Sequence, residues 1–220
     1  MARKARIILE GYPHHITQRG NYKQKTFFSQ EDYTCYLKWF QRYSRQYKML
    51  ILAYCIMPNH VHFIAVPEDK NSFSMTFKVT QMRYAHYYHS KNALSGHLWQ
   101  SRFYSCPLGE SHLHEAIRYV ENNPVKAGLV KKPQDWEWSS ARYHLFNETG
   151  IVSLKDISGY IQRDNWKDYL SQNADTSIIK EIKSNTSTGR PSGNESFIAK
   201  IEKLLGIRLQ PLKPGPKKNN

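Results

Sequence analysis

Apolar positions along this chain fall into short alternating runs and longer stretches at helical spacing, and the two periods predict its elements. His14 to Gln18 reads as a short strand closed by Arg19-Gly20-Asn21, with Gly20 and Asn21 as turn residues that tolerate positive φ. Ser29 to Tyr47 carries Tyr33, Tyr36, Leu37, Phe40 and Tyr43 near helical spacing. Ser29 suits an N-cap, and Asp32 three positions on completes something close to a capping box. Met49 to Met57 predicts a strand, Pro58-Asn59 a turn and His60 to Val66 the returning strand, a hairpin in outline. After a polar loop, Ser72 to His89 predicts a helix striped by Phe73, Phe77 and Tyr84. Trp99 to Pro107 reads as another strand. Ser111 then suits the N-cap of a helix reaching about Asn122. Pro124 biases Asn123 out of the helical region, so that helix ends there and a short turn runs on to Gly128.

The order is strand, helix, strand, strand, helix, strand, helix. Its first six members match a split βαβ, or ferredoxin-like, plan: an α+β fold whose antiparallel sheet has helices on one face. Trp136 to Phe146 predicts a further helix packing back on this core, and the helical pattern from 150 to 183 is weaker. Ser184 to Asn194 is a polar linker by composition, Glu195 to Leu205 a short amphipathic helix, and Leu212 to Asn220 a Pro/Gly/Lys tail. The expected organisation is a main domain over 1–146, a helical extension over 147–183, and linker, short helix and basic tail over 184–220.

A chain of 220 residues is long enough to bury a core without staples. Cys35, Cys55 and Cys106 are odd in number and lack C-x-x-C spacing, which argues against a disulfide framework or a cysteine zinc site. No run approaches a membrane span or a signal sequence, so the expectation is a cytoplasmic protein without membrane association. Charge adds more. There are 32 Lys plus Arg against 18 Asp plus Glu, a net of +14, interleaved with 15 tyrosines and 5 tryptophans. Bases that neutralise phosphates and rings that stack on exposed bases point to nucleic acid.

The candidate chemistry centres on Tyr54 to Val66, apolar except for Asn59, His60 and His62. Residues two apart on a strand share a face, so His60 and His62 project together while Val61 and Phe63 point into a core. Two imidazoles side by side make half of a metal site; as a pair alone they fit a structural role equally well. Tyr119 and Asn123 are four apart and share a helix face. If that face meets the histidine strand, Asn123 offers a third ligand oxygen and Tyr119 a hydroxyl. Mixed N/O ligation with open positions suits Mg²⁺ or Mn²⁺ with phosphate oxygens completing the shell. The chain has no GxxxxGK[ST] loop, which fits a reaction that conserves phosphodiester energy in a covalent link.

Asn59-His60-Val61-His62, the stretch Trp99-Gln100-Ser101-Arg102-Phe103 and the run Arg118-Tyr119-Val120-Glu121-Asn122-Asn123-Pro124-Val125-Lys126-Ala127-Gly128-Leu129 resemble the single-tyrosine HUH transposases. The resemblance is greatest to the branch called REP-associated tyrosine transposases and covers about residues 10–146. It implies an HUH nuclease core in 1–146, His60, His62 and Asn123 as ligands of a divalent metal, and Tyr119 as nucleophile. It also implies cleavage of single-stranded DNA beside a REP-like hairpin, a 5′-phosphotyrosine intermediate and rejoining in transposition. Members work as monomers or as homodimers. Two other readings stay open: a DNA-binding protein that keeps the fold without catalysis, and a metal phosphodiesterase using water. Arg19, Arg83, Arg102, Lys126 and Arg190 are candidate DNA contacts. His14, His15, His112 and His114 are expected at the surface or on phosphate, and Tyr104 in the core or stacked on a base.

Overall fold

The computed structural model describes residues 6–158, 166–172 and 174–209. Four strands form one antiparallel sheet in the order β2-β3-β1-β4. They are β1 (His14–Arg19), β2 (Met49–Met57), β3 (His60–Pro67) and β4 (Tyr104–Pro107). Helix α1 (Gln30–Gln46) connects β1 to β2, and α2 (Ser72–Asn92) connects β3 to β4. This is the ferredoxin-like plan that the periodicity predicts. The Ser29 cap is a full capping box: its hydroxyl accepts from the Asp32 N–H, and the Asp32 carboxylate accepts from the Ser29 N–H at 3.0 Å.

Strand alternation sorts β3 between two cores. Val61, Phe63 and Ala65 face α1 and α2, where the Phe40 ring stacks on Phe63 at 3.8 Å. Ile64 and Val66 face the other way, against α3 (Glu110–Glu121) and α7 (Thr176–Thr188). The two connecting helices thus share one face as expected, while the helix bearing Tyr119 covers the opposite one. The short helices α4 (Asn123–Lys126), α5 (Ala141–Phe146) and α6 (Trp166–Ser171) lie between α3 and α7 in the chain. Helix α8 (Glu195–Leu205) places Ile201 against Leu9 and Leu209.

Several expectations are corrected. The strand expected over Trp99–Pro107 is continuous only from Tyr104; before it Trp99 makes a single antiparallel bridge to Gly20, and the Gln100 N–H donates to the Arg19 carbonyl at 2.9 Å. Ahead of it the chain is held by rings: Phe103 packs 4.7 Å from Phe77, and the Trp99 indole donates to the Gln81 carbonyl at 3.3 Å. Helix α3 begins at Glu110 after an N-cap at Gly109, so Ser111 is inside it. Trp136–Phe146 is helical only from Ala141, because the preceding residues seal the outer edge of β2. The Ile56 N–H donates to the Trp138 carbonyl at 2.8 Å, Ser140 N–H to Tyr54 at 3.0 Å and, further on, Lys155 N–H to Ile51 at 2.8 Å. Ser184–Asn194 is not a linker throughout. Helix α7 runs to Thr188 because Ile179, Ile182 and Thr186 give it a buried face, and Gly189 ends it at φ +76°. In the first turn, positive φ falls on Tyr22 and Lys23 and not on Gly20. Gly20 answers to crowding instead: a Cβ there would meet the Gln24 carbonyl oxygen at 2.5 Å. The basic tail from Leu212 lies outside the described residues.

Candidate active site

Strands β1 and β3 run side by side at the centre of the sheet, with Thr17 opposite His62 and Arg19 opposite His60. His15, Thr17 and Arg19 therefore share the face that carries both histidines. Helix α3 crosses this face and α4 follows it, bringing Tyr119 and Asn123 to the same place. Together with Gln100, Tyr104, Lys183, Thr186 and Ser187 they line one cleft of about 440 Å³. The His60 and His62 ring centres are 4.8 Å apart, and Tyr119 stands edge-on to His62 at 5.6 Å and to His15 at 5.9 Å.

The histidines are neutral by construction. Burial pushes His60 down to about 4, helped by the positive Arg19. Burial also holds His62 well below the ordinary imidazole value, with His60, His15, Arg19 and Lys183 adding to it. Neutral imidazoles carry lone pairs, which is the state a metal needs. His60 Nδ1 lies 2.5 Å from Asn59 Oδ1, and the Asn59 amide is oriented by donating Nδ2–H to the Lys23 carbonyl at 3.0 Å. His60 therefore donates from Nδ1 and leaves Nε2 as its lone pair. His62 Nε2 is buried and has no hydrogen-bond partner among the described residues. The Asn123 Nδ2–H group donates to the Tyr119 carbonyl at 2.8 Å, which ties the carboxamide to the end of α3.

Tyr119 is 6% exposed. Burial raises its hydroxyl above the ordinary phenol value, against the opposing pull of Asn123 and Arg19. Lys183 Nζ and Lys126 Nζ stand 5.1 and 5.5 Å from the centre of its ring. Two ammonium groups beside a buried phenol make a favourable seat for a phosphate or a phenolate.

Of the residues singled out in the sequence, Tyr119, His60, His62, Asn123 and Arg19 meet in the cleft, and Lys126 reaches the Tyr119 ring. Arg102 is exposed and lines two neighbouring depressions instead. Arg83 is on α2, across the sheet, with its guanidinium 5.7 Å over Tyr43. Arg190 is exposed just past α7 and does not line the cleft. His14 and His15, expected at the surface or on phosphate, are 0% and 2% exposed. His15, Lys183 and Thr186 are among the cleft residues that sequence reasoning missed. Alternation from Arg19 back to His15 carries a signal for the first. The i, i+3, i+4 and i+7 spacing of Ile179, Ile182, Lys183 and Thr186 carries one for the others. Tyr104, expected buried or stacked, is 42% exposed at the cleft wall.

A four-stranded ferredoxin-like sheet with a tyrosine helix laid over paired histidines defines the class. The family described as Transposase IS200 like matches residues 9–123, just over half of the chain, and the chain belongs to that family. Among its relatives is a REP-associated tyrosine transposase of Escherichia coli strain K12, 30% identical over 92 residues. That match covers 41% of this chain and 53% of the relative, so the chain spans about half of that protein's length. A putative REP-associated tyrosine transposase of Haemophilus influenzae is 24% identical over 132 residues, covering 54% of this chain and 68% of the relative. A solved REP-associated tyrosine transposase bound to a REP hairpin shares the fold, with a TM-score of 0.56 and 22% identity over 71% of this chain and 93% of that one. Among the described residues no helix is long and apolar enough to cross a membrane.

Proposed function

We propose that this chain is a metal-dependent single-stranded DNA endonuclease and strand transferase that cuts beside hairpins through a 5′-phosphotyrosine at Tyr119. The observation that carries this reading is the convergence of His60, His62, Tyr119 and Asn123 in one cleft, from a strand and from two successive helices far from it in sequence. Membership of the transposase family and the net charge of +14 support it.

The residues present fit a divalent cation. His62 Nε2 is a buried nitrogen with no hydrogen-bond partner among the described residues. Among the described residues no trio of His, Cys, Asp or Glu is placed to hold a metal, so a third protein donor has to come from elsewhere. The Asn123 Nδ2–H group is committed to the end of α3, which leaves Oδ1 for a ligand. His60 Nε2, His62 Nε2 and Asn123 Oδ1 would hold Mg²⁺ or Mn²⁺, whose charge would polarise the scissile phosphate. Tyr119 Oη then attacks phosphorus, the bond to the 3′ oxygen breaks, and the phenol proton leaves as the 3′ oxygen takes one up. The strand's 5′ phosphate is left on the tyrosine. Lys126 and Lys183 flank the ring and offset the charge that develops there. Rejoining is the same exchange in reverse, with an incoming 3′-hydroxyl. In this reading Tyr119 acts with the histidines of its own protomer.

The test is a denaturing gel of labelled single-stranded hairpin oligonucleotides with Mn²⁺ or Mg²⁺. Wild type and Tyr104→Phe should give a covalent protein–DNA band that chelator removes, and Tyr119→Phe should give none. Adduct formation by Tyr119→Phe would sink the assignment of the nucleophile. Cleavage without any adduct would favour water, and binding without cleavage would favour a non-catalytic DNA-binding protein.

A further inference from the structure

From His62 a line of buried polar groups runs along the wall of the cleft, and its direction can be read atom by atom. Thr186 Oγ1 lies 2.7 Å from the Ile182 carbonyl oxygen, one turn back on α7. Two oxygens approach that closely only with a proton between them, and a carbonyl has none to give. The hydroxyl proton is therefore spent on Ile182. His15 Nδ1 lies 2.7 Å from the same Oγ1, so this contact is Nδ1–H donating to Thr186. The Cys106 thiol, 3.2 Å from Oγ1, can then only donate as well and does not change the direction.

His15 and His62 are 2% and 5% exposed. A neutral imidazole carries one N–H, so His15 Nε2 is an acceptor. His62 Nδ1, 2.9 Å away, must donate to it. His62 Nε2 is then a bare lone pair, in keeping with its having no partner among the described residues. The opposite direction would set two oxygen lone pairs against each other at Thr186. It would also bury an N–H at His62 Nε2 with nothing to accept it, at a cost of about 1–3 kcal/mol.

We propose that Thr186 and His15 are positioning residues that lock His62 in the Nδ1–H tautomer and aim its Nε2 lone pair into the cleft. In this respect α7, beyond the family-matched segment, is part of the site. The use of that lone pair for a cation rests on the function proposed above; the tautomer does not.

Two measurements on the full chain separate these. Long-range ¹H–¹⁵N correlation spectra of the metal-free protein should show His62 protonated at Nδ1, with the signal assigned by its loss in His62→Gln. Calorimetric titration with Mn²⁺ should then compare wild type with three variants. His15→Phe should bind about 10–100-fold more weakly. Thr186→Val, nearly the same shape as threonine, should shift in the same direction and guards against misfolding of the ring variant. His15→Gln keeps an acceptor near the Nε2 position and should recover most of the loss. A role in packing alone gives the reverse order, because phenylalanine fills the space of the ring better than glutamine. His62 protonated at Nε2, or wild-type Mn²⁺ affinity in both His15→Phe and Thr186→Val, overturns the proposal. The expected tautomer in a wild type that ignores Mn²⁺ upholds the lock and overturns the metal reading instead.

Discussion

At the scale of single residues, the buried histidines set how this protein responds to acid. His14 is wholly buried, with Nδ1 2.8 Å from the Tyr12 carbonyl and Nε2 accepting the Leu9 N–H at 3.2 Å. Burial lowers it to about 4, and burial with the Lys183 charge lowers His15 to about 3. Unfolded, both titrate near 6.5. Between the two values the unfolded chain binds more protons than the folded one, so stability rises with pH across that window. It is fully present above about 6.5 and is lost as pH falls towards 4 and 3. Urea unfolding at pH 7.5 and pH 5 should show a loss on the order of 1–2 kcal/mol per buried histidine, and His14→Phe or His15→Phe should flatten the dependence. An unchanged midpoint would contradict this account. None of it was legible at the residues themselves. Alternation assigns His15 to a face of β1 but says nothing of what covers that face, and here α7 covers it.

At the scale of elements, what could be read was what has a strong local cause. Ser29 and Asp32 carry their capping box in four letters, and α1 starts where they place it. Ser29→Ala should cost about 1 kcal/mol and lower the melting temperature by a few degrees. No change would mean that packing of α1 against β2 and α2 holds its first turn without the cap. The His60–His62 hairpin was equally plain, because an apolar run with one polar insert has few other uses. Elements held by distant partners were not. Ser184–Thr188 looks like linker in composition, yet Ile179 and Ile182 seat it in the core and Thr186 is 3% exposed. Trp99 and Phe103 look like a strand, since ring packing and strand alternation leave the same mark on a sequence. The four residues proposed to do the chemistry were visible for a simpler reason: metal-binding and nucleophilic side chains are few and their spacings are narrow. The groups that orient them, Thr186 and His15, are ordinary residues made special only by contact.

At the scale of the whole molecule, the proposed use of Tyr119 with the histidines of its own protomer has a testable consequence for assembly. Mixing Tyr119→Phe with His62→Ala should restore no protein–DNA adduct on any hairpin substrate. Adduct formation in the mixture would show that a tyrosine is donated between protomers. The seal along β2 bears on a different property. A sheet that ends in open N–H and C=O groups is a template on which further chains can grow. Here the backbone groups of Ile51, Tyr54 and Ile56 are already taken by Lys155, Ser140 and Trp138, and the Trp136 indole holds the Ile56 carbonyl at 3.0 Å. Loosening the segment that carries these partners would turn a closed border into a growing one, and the hazard for a variant damaged there is fibrous aggregation.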